Sequence, residues 1–175
     1  MKNNAYLIFT KATIGTMFIL IKEMVKISPL KVELNPADFI RYAKSKANLR
    51  ISESFREKIQ RHAKVISVKE AISFRSQDLK ESAYDSEIIG DLDIKPVKFN
   101  DALGAILSLV VKQPWGEKGD LHDDGHANLF YVEINGFTFV TRLFRDFVNK
   151  YWYLDDWEPD RIGAWYTGPR VFSRH

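Results

Sequence analysis

Asp120-Leu121-His122-Asp123-Asp124-Gly125-His126 is the densest run of chemically competent side chains in the chain. The imidazole and carboxylate donors of His122, Asp124 and His126 suit Zn²⁺ or Mn²⁺, and either histidine is a candidate general base. A loop just before a strand is a common place for such groups. The opposing reading is turn chemistry: Asp-Asp-Gly is a plain turn. His-x-x-x-His also makes a convincing zinc pair only when a helix puts both rings on one face, which Gly125 opposes. Arg142 belongs to a second set with Arg145, Asp155, Asp156, Arg161 and Arg170. Two carboxylates beside Trp157 suit acid–base work, and charge pairing across a sheet edge is the alternative. His122, Asp124, His126 and Arg142 are thus the catalytic candidates. The matching function is a metal-dependent hydrolase or nuclease, with the metal on His122, Asp124 and His126. The chain has no Gly-rich phosphate loop, Gly-x-Ser-x-Gly elbow or helical His-Glu-x-x-His, which argues against those enzyme classes.

The net charge of +3 hides an asymmetry. Residues 41–80 carry 11 Lys or Arg and 4 Asp or Glu, whereas residues 81–175 carry 10 and 16. Such a split marks a nucleic-acid-facing segment beside an acidic body, or two halves that attract each other. Lys46, Asn48 and Arg50 alternate along an extended stretch, and Arg56 and Arg61 lie off the apolar stripe of the helix that follows. These five are the nucleic-acid candidates. The strand, helix, capping-serine turn and second helix read over residues 46–72 resemble a ribbon-helix-helix DNA-binding unit. In that family a paired two-stranded ribbon enters the major groove. The resemblance implies a dimer with Lys46, Asn48 and Arg50 at base edges. An ordinary helical subdomain with those three residues in solvent is the plainer reading. The leading function is a binding protein that contacts DNA or RNA and needs no cofactor. The runner-up is the Zn- or Mn-dependent hydrolase.

The elements that position these residues follow from pattern. There are no cysteines, which removes disulfides, thiol catalysis and Cys-based metal sites and fits a reducing, cytoplasmic setting. The apolar runs Ala5–Thr10 and Ile14–Ile21 fall short of the roughly 20 residues of a membrane span. They read as a buried strand or short helix, and no membrane partner is expected; Met17 or Met24 is an alternative natural start. Asn35-Pro36 is a helix start, with Phe39, Ile40, Ala43 and Ala47 on one face. Lys46–Ile51 reads as a strand or extended link. Ser54-x-x-Glu57 and Ser67-x-x-Glu70 are capping boxes. The first precedes the stripe Phe55, Ile59, Ala63 and Ile66, and the second precedes Val68, Ala71, Ile72 and Leu79. Residues 36–83 are thus predicted as three helices. Residues 84–97 read as an acidic linker or loop, and Asn100 caps a central helix to about Lys112.

Asn135-Gly136 lies between two alternating runs and predicts a two-residue type I′ hairpin. That turn sets the register, opposing Ile134 to Phe137, Val132 to Phe139 and Phe130 to Thr141. The other face, with Glu133, Thr138, Tyr131, Val140, Leu129 and Arg142, is mixed: partly covered, or a surface for a protein partner. Tyr151–Trp157 supplies a third strand, with Ala164–Tyr166 and Arg170–Phe172 as short additions. The expected fold is α+β. A helical N-terminal half of three to four helices precedes a C-terminal antiparallel meander of three to five strands packed on helix 100–112. The expected organisation is a basic subdomain 1–83, the linker 84–97 and a unit 98–175, able to form one compact domain.

Overall fold

The computed structural model describes residues 17–27, 32–67 and 71–174. In chain order the elements are β1 (Phe18–Ile27), α1 (Pro36–Lys46), β2 (Leu49–Ile51), α2 (Glu53–His62), β3 (Ile72–Leu79) and α3 (Asp85–Asp91). They continue with β4 (Val97–Lys98), α4 (Phe99–Lys112), β5 (Asn128–Ile134), β6 (Phe137–Asp146), β7 (Tyr151–Trp157) and β8 (Arg170–Arg174).

All eight strands form one mixed sheet in the order β1-β3-β8-β5-β6-β7-β2, with β4 pairing the far end of β5. This overturns the expected division into a helical N-terminal half and a C-terminal meander. The meander β5-β6-β7 is there, but strands from the N-terminal half extend the sheet on both sides. β8 returns parallel to β5 and antiparallel to β3, and β2 joins parallel to β7. Residues 68–70 of the second capping box lie outside the described residues, but the helix expected to follow it is a strand over Ile72–Leu79, for a physical reason. Ile72–Leu79 alternates in burial from its first residue, and Phe74 lies inside the sheet core, so two-sided strand pairing outcompetes a local cap. Residues 84–97, expected as a linker or loop, hold α3 and the first residue of β4. β1 occupies the described part of the second apolar run; Ala5–Thr10 lies outside the described residues.

Local signals succeed where the competing tertiary demand is small. The Asn35 side chain accepts from the Asp38 amide, and Pro36 opens α1. The cap of α2 is Ser52, whose hydroxyl accepts from the Phe55 amide at 3.3 Å, so the helix starts two residues ahead of the expected Ser54 box. Asn135 and Gly136 have φ of 53° and 83°, and every expected cross-strand partner of the hairpin is in register.

Each face of the sheet carries its own apolar core. α1, α2 and α4 cover the first, where Phe74, Phe130 and Phe172 meet Phe55, Phe99 and the apolar length of α4. Buried Trp152 of β7 donates its indole N–H to the Gln113 carbonyl at 2.6 Å, fastening the end of α4 to the sheet. α3 and residues 158–169 cover the second face over β5 and β8, where Leu129, Tyr131, Val140 and Val171 meet Ile88 and Trp165. The mixed hairpin face is therefore partly covered by the chain itself. Beyond that cover, Arg142, Phe144, Tyr151 and Tyr153 of β6 and β7 stay partly exposed. No helix among the described residues is long and apolar enough to cross a membrane.

Candidate functional site

β2 is three residues long and ends the sheet. Its pairing with β7 sets Arg50 opposite Tyr153 and leads Asn48 to Lys150, whose carbonyl accepts from the Asn48 side-chain Nδ2 at 2.6 Å. A cleft of about 430 Å³ opens along this edge. Ile40 and Lys44 of α1, Arg56 of α2, Leu49–Ile51 of β2, and Tyr151 and Tyr153 of β7 line it. Each contribution has a local cause. α1 buries Phe39 and Ala43 and leaves Lys44 outside; α2 buries Phe55 and Ile59 and leaves Arg56 outside. Alternation along β7 buries Trp152 and Leu154 and turns Tyr151 and Tyr153 to the open face.

The charges of this cleft are uncommitted. Among the described residues, Lys44, Arg50 and Arg56 form no ion pair with a carboxylate. Arg56 donates to the Ile51 carbonyl at 3.4 Å, and the Arg50 guanidinium lies 4.0 Å from the Tyr151 ring centroid. Two neighbouring cations on α2 are occupied: Lys58 pairs with buried Asp156 beneath the helix, and Arg61 pairs with Glu57 at 3.1 Å. Burial, the largest influence, pushes the Asp156 carboxyl up against the opposing pull of Lys58. The open face continues from the cleft across β7 and β6. Tyr151 and Tyr153 rings are 6.4 Å apart, and Tyr153 and Phe144 are 5.5 Å apart. Arg142 then lies 4.6 Å from the Phe144 ring and 4.2 Å from the Trp157 ring.

The histidine loop is built differently. His122 Nε2 meets Asp78 at 3.2 Å, its Nδ1 lies 3.6 Å from Asp124, and His126 Nδ1 lies 3.1 Å from the same Asp124. Arg170 donates to both Asp78 oxygens at 2.7 and 3.1 Å and to the Asp120 carbonyl at 3.0 Å. The Asn128 side chain accepts from the His122 amide at 2.8 Å and donates to its carbonyl at 3.1 Å. These bonds fasten the loop to β3, β5 and β8. Among the described residues no group of three or more His, Asp or Glu side chains is arranged to hold a metal ion. Arg142 does not join the histidines: it points to the opposite face and forms a two-pronged pair with Asp155 at 3.1 and 2.7 Å.

Of the five nucleic-acid candidates, the fold brings Arg50 and Arg56 into one cleft. Lys46 closes α1, Asn48 turns the chain with φ of 47°, and Arg61 lies on α2 outside the cleft. The alternation expected for Lys46, Asn48 and Arg50 is therefore not a ribbon, because only Leu49–Ile51 is extended and it pairs with this chain's own β7. Lys44, Tyr151 and Tyr153 were not singled out from sequence. The signal available was the pair of tyrosines two residues apart on a strand whose intervening residue is Trp152.

In comparisons with known proteins, no family model, no curated protein and no solved structure matches the chain.

Proposed function

We propose that this protein binds nucleic acid, with the β2 edge as its contact site. One observation carries the reading: Lys44, Arg50 and Arg56, none of them paired with a carboxylate among the described residues, share a cleft with Tyr151 and Tyr153. Phosphates are met by the cations, and ring faces are met by the tyrosines. The cysteine-free composition suits a cytoplasmic setting for such a protein. Binding is read by fluorescence anisotropy with labelled single-stranded and duplex oligonucleotides over a salt series. Affinity falls steeply with salt because each neutralised phosphate releases counterions. Arg50→Gln and Arg56→Gln each weaken binding and flatten the salt slope by roughly one unit. Binding no tighter than millimolar at low salt, for every oligonucleotide, removes the proposal.

A further inference from the structure

We infer that the ligand of this site is a single-stranded polynucleotide, laid across the open sheet face with its bases on an aromatic ladder; the inference rests on the nucleic-acid reading of the cleft. The ladder begins at Arg50 over Tyr151, passes to Tyr153 and Phe144, and ends with Arg142 between Phe144 and Trp157. Tyr153 and Phe144 are direct cross-strand partners, and Tyr151 and Tyr153 are neighbours on one side of β7. All of these rings are half-buried, seated on the sheet with part of each open to solvent. Arg50 lies over Tyr151 and Arg142 over Phe144 and Trp157, so the platform consists of guanidinium planes as well as exposed ring surface; a duplex cannot use it, because its bases are already stacked on one another. An unpaired strand can turn its bases onto this platform, and every base has a face to stack.

Charge is distributed to match. Lys44, Arg50 and Arg56, without a carboxylate partner among the described residues, stand at the cleft end, where a phosphate backbone gains most. Arg142 is neutralised by its two-pronged bond to Asp155, so it contributes a planar surface rather than a net charge. This arrangement places backbone recognition along the β2 edge and base recognition across β7 and β6. It favours no particular base.

The test compares labelled ten-nucleotide oligothymidylate and oligouridylate, the matching duplexes, and thymidine monophosphate. Single strands of DNA or RNA bind at least tenfold tighter than duplex, and the ten-mer binds far tighter than the mononucleotide. Tyr153→Leu and Phe144→Leu, which keep apolar bulk, each lower single-strand affinity by roughly tenfold, and Tyr153→Phe restores it. Circular dichroism and a denaturant midpoint confirm that the variants fold; if Tyr153→Leu does not, Tyr151→Leu takes its place, with Tyr151→Phe as the restoring variant. Equal affinity for duplex and single strand, with the ring variants silent and Arg50→Gln still weakening binding, overturns the single-strand inference while the nucleic-acid reading stands. A ten-mer no tighter than the mononucleotide also overturns it. Absence of binding to every probe overturns both.

Discussion

The indole N–H of Trp165 donates to the carboxylate of Asp85 at 2.7 Å, across 80 residues of chain. Asp85 has no solvent exposure and also accepts from the Tyr131 hydroxyl at 2.8 Å and the Asp160 amide at 3.0 Å. One carboxylate thus joins α3, β5 and residues 158–169 over the second face of the sheet. Burial, and after it the Asp85 charge, holds the Tyr131 hydroxyl well above the ordinary phenol range.

Asp85→Ala leaves two buried donors, on Tyr131 and Trp165, without an acceptor. Stability falls by about 3 kcal/mol, because each buried unsatisfied group costs roughly 1–3 kcal/mol. Asp85→Asn keeps one acceptor oxygen and loses less. Urea midpoints measure both, and a midpoint unchanged in Asp85→Ala contradicts the role of this carboxylate.

Gly136 has φ of 83°, and a Cβ built on it meets nothing within 4 Å. The cost of substitution is therefore backbone strain alone. Gly136→Val costs about 2–3 kcal/mol, since a β-branched residue is poorly tolerated in the left-handed region, and Gly136→Asn costs much less. Equal melting temperatures for the two variants refute the argument.

Asp78 gives the stability curve an acidic limb. Burial pushes its carboxyl up, but hydrogen bonds from His122 and Arg170, together with their charges, outweigh burial and hold it below 3.8. A carboxyl depressed by folding adds stability that is complete above its unfolded value and is lost as pH falls through its folded value. Asp155 and Asp156 act in the opposite sense. Burial outweighs Arg142 and Lys58 there, so those two reduce stability as pH rises through their raised values. Asp78→Asn lowers stability at pH 7 by about 2 kcal/mol, the scale of a hydrogen bond to a charged group. The difference from wild type shrinks below pH 4. Urea titrations from pH 7 to pH 2 decide it; a difference constant with pH sinks the assignment.

Turns, caps and alternation were open to inspection in the sequence because each depends on a few adjacent residues. Asn135-Gly136 alone dictates a left-handed pair and hence the register of β5 on β6. Asn35-Pro36 starts α1 by its own hydrogen bond and fixed φ. Tyr151–Trp157 declares its two sides through Trp152 and Leu154 against Tyr151 and Tyr153. The third dimension decided the rest. Ser67-x-x-Glu70 offers a helix start, yet Ile72–Leu79 gains pairing on two sides, from β1 and β8, and those partners are distant in the chain. The same holds for the candidate site. Nothing near Arg50 announces that β2 will lie parallel to β7, a pairing across about a hundred residues that no local pattern encodes. That pairing brings cations from α1, β2 and α2 beside the tyrosines of β7. The sequence determined which residues are outward, basic or aromatic, because propensity and period act locally. The tertiary structure alone decided which of them meet, because strand pairing is chosen by burial over the whole sheet.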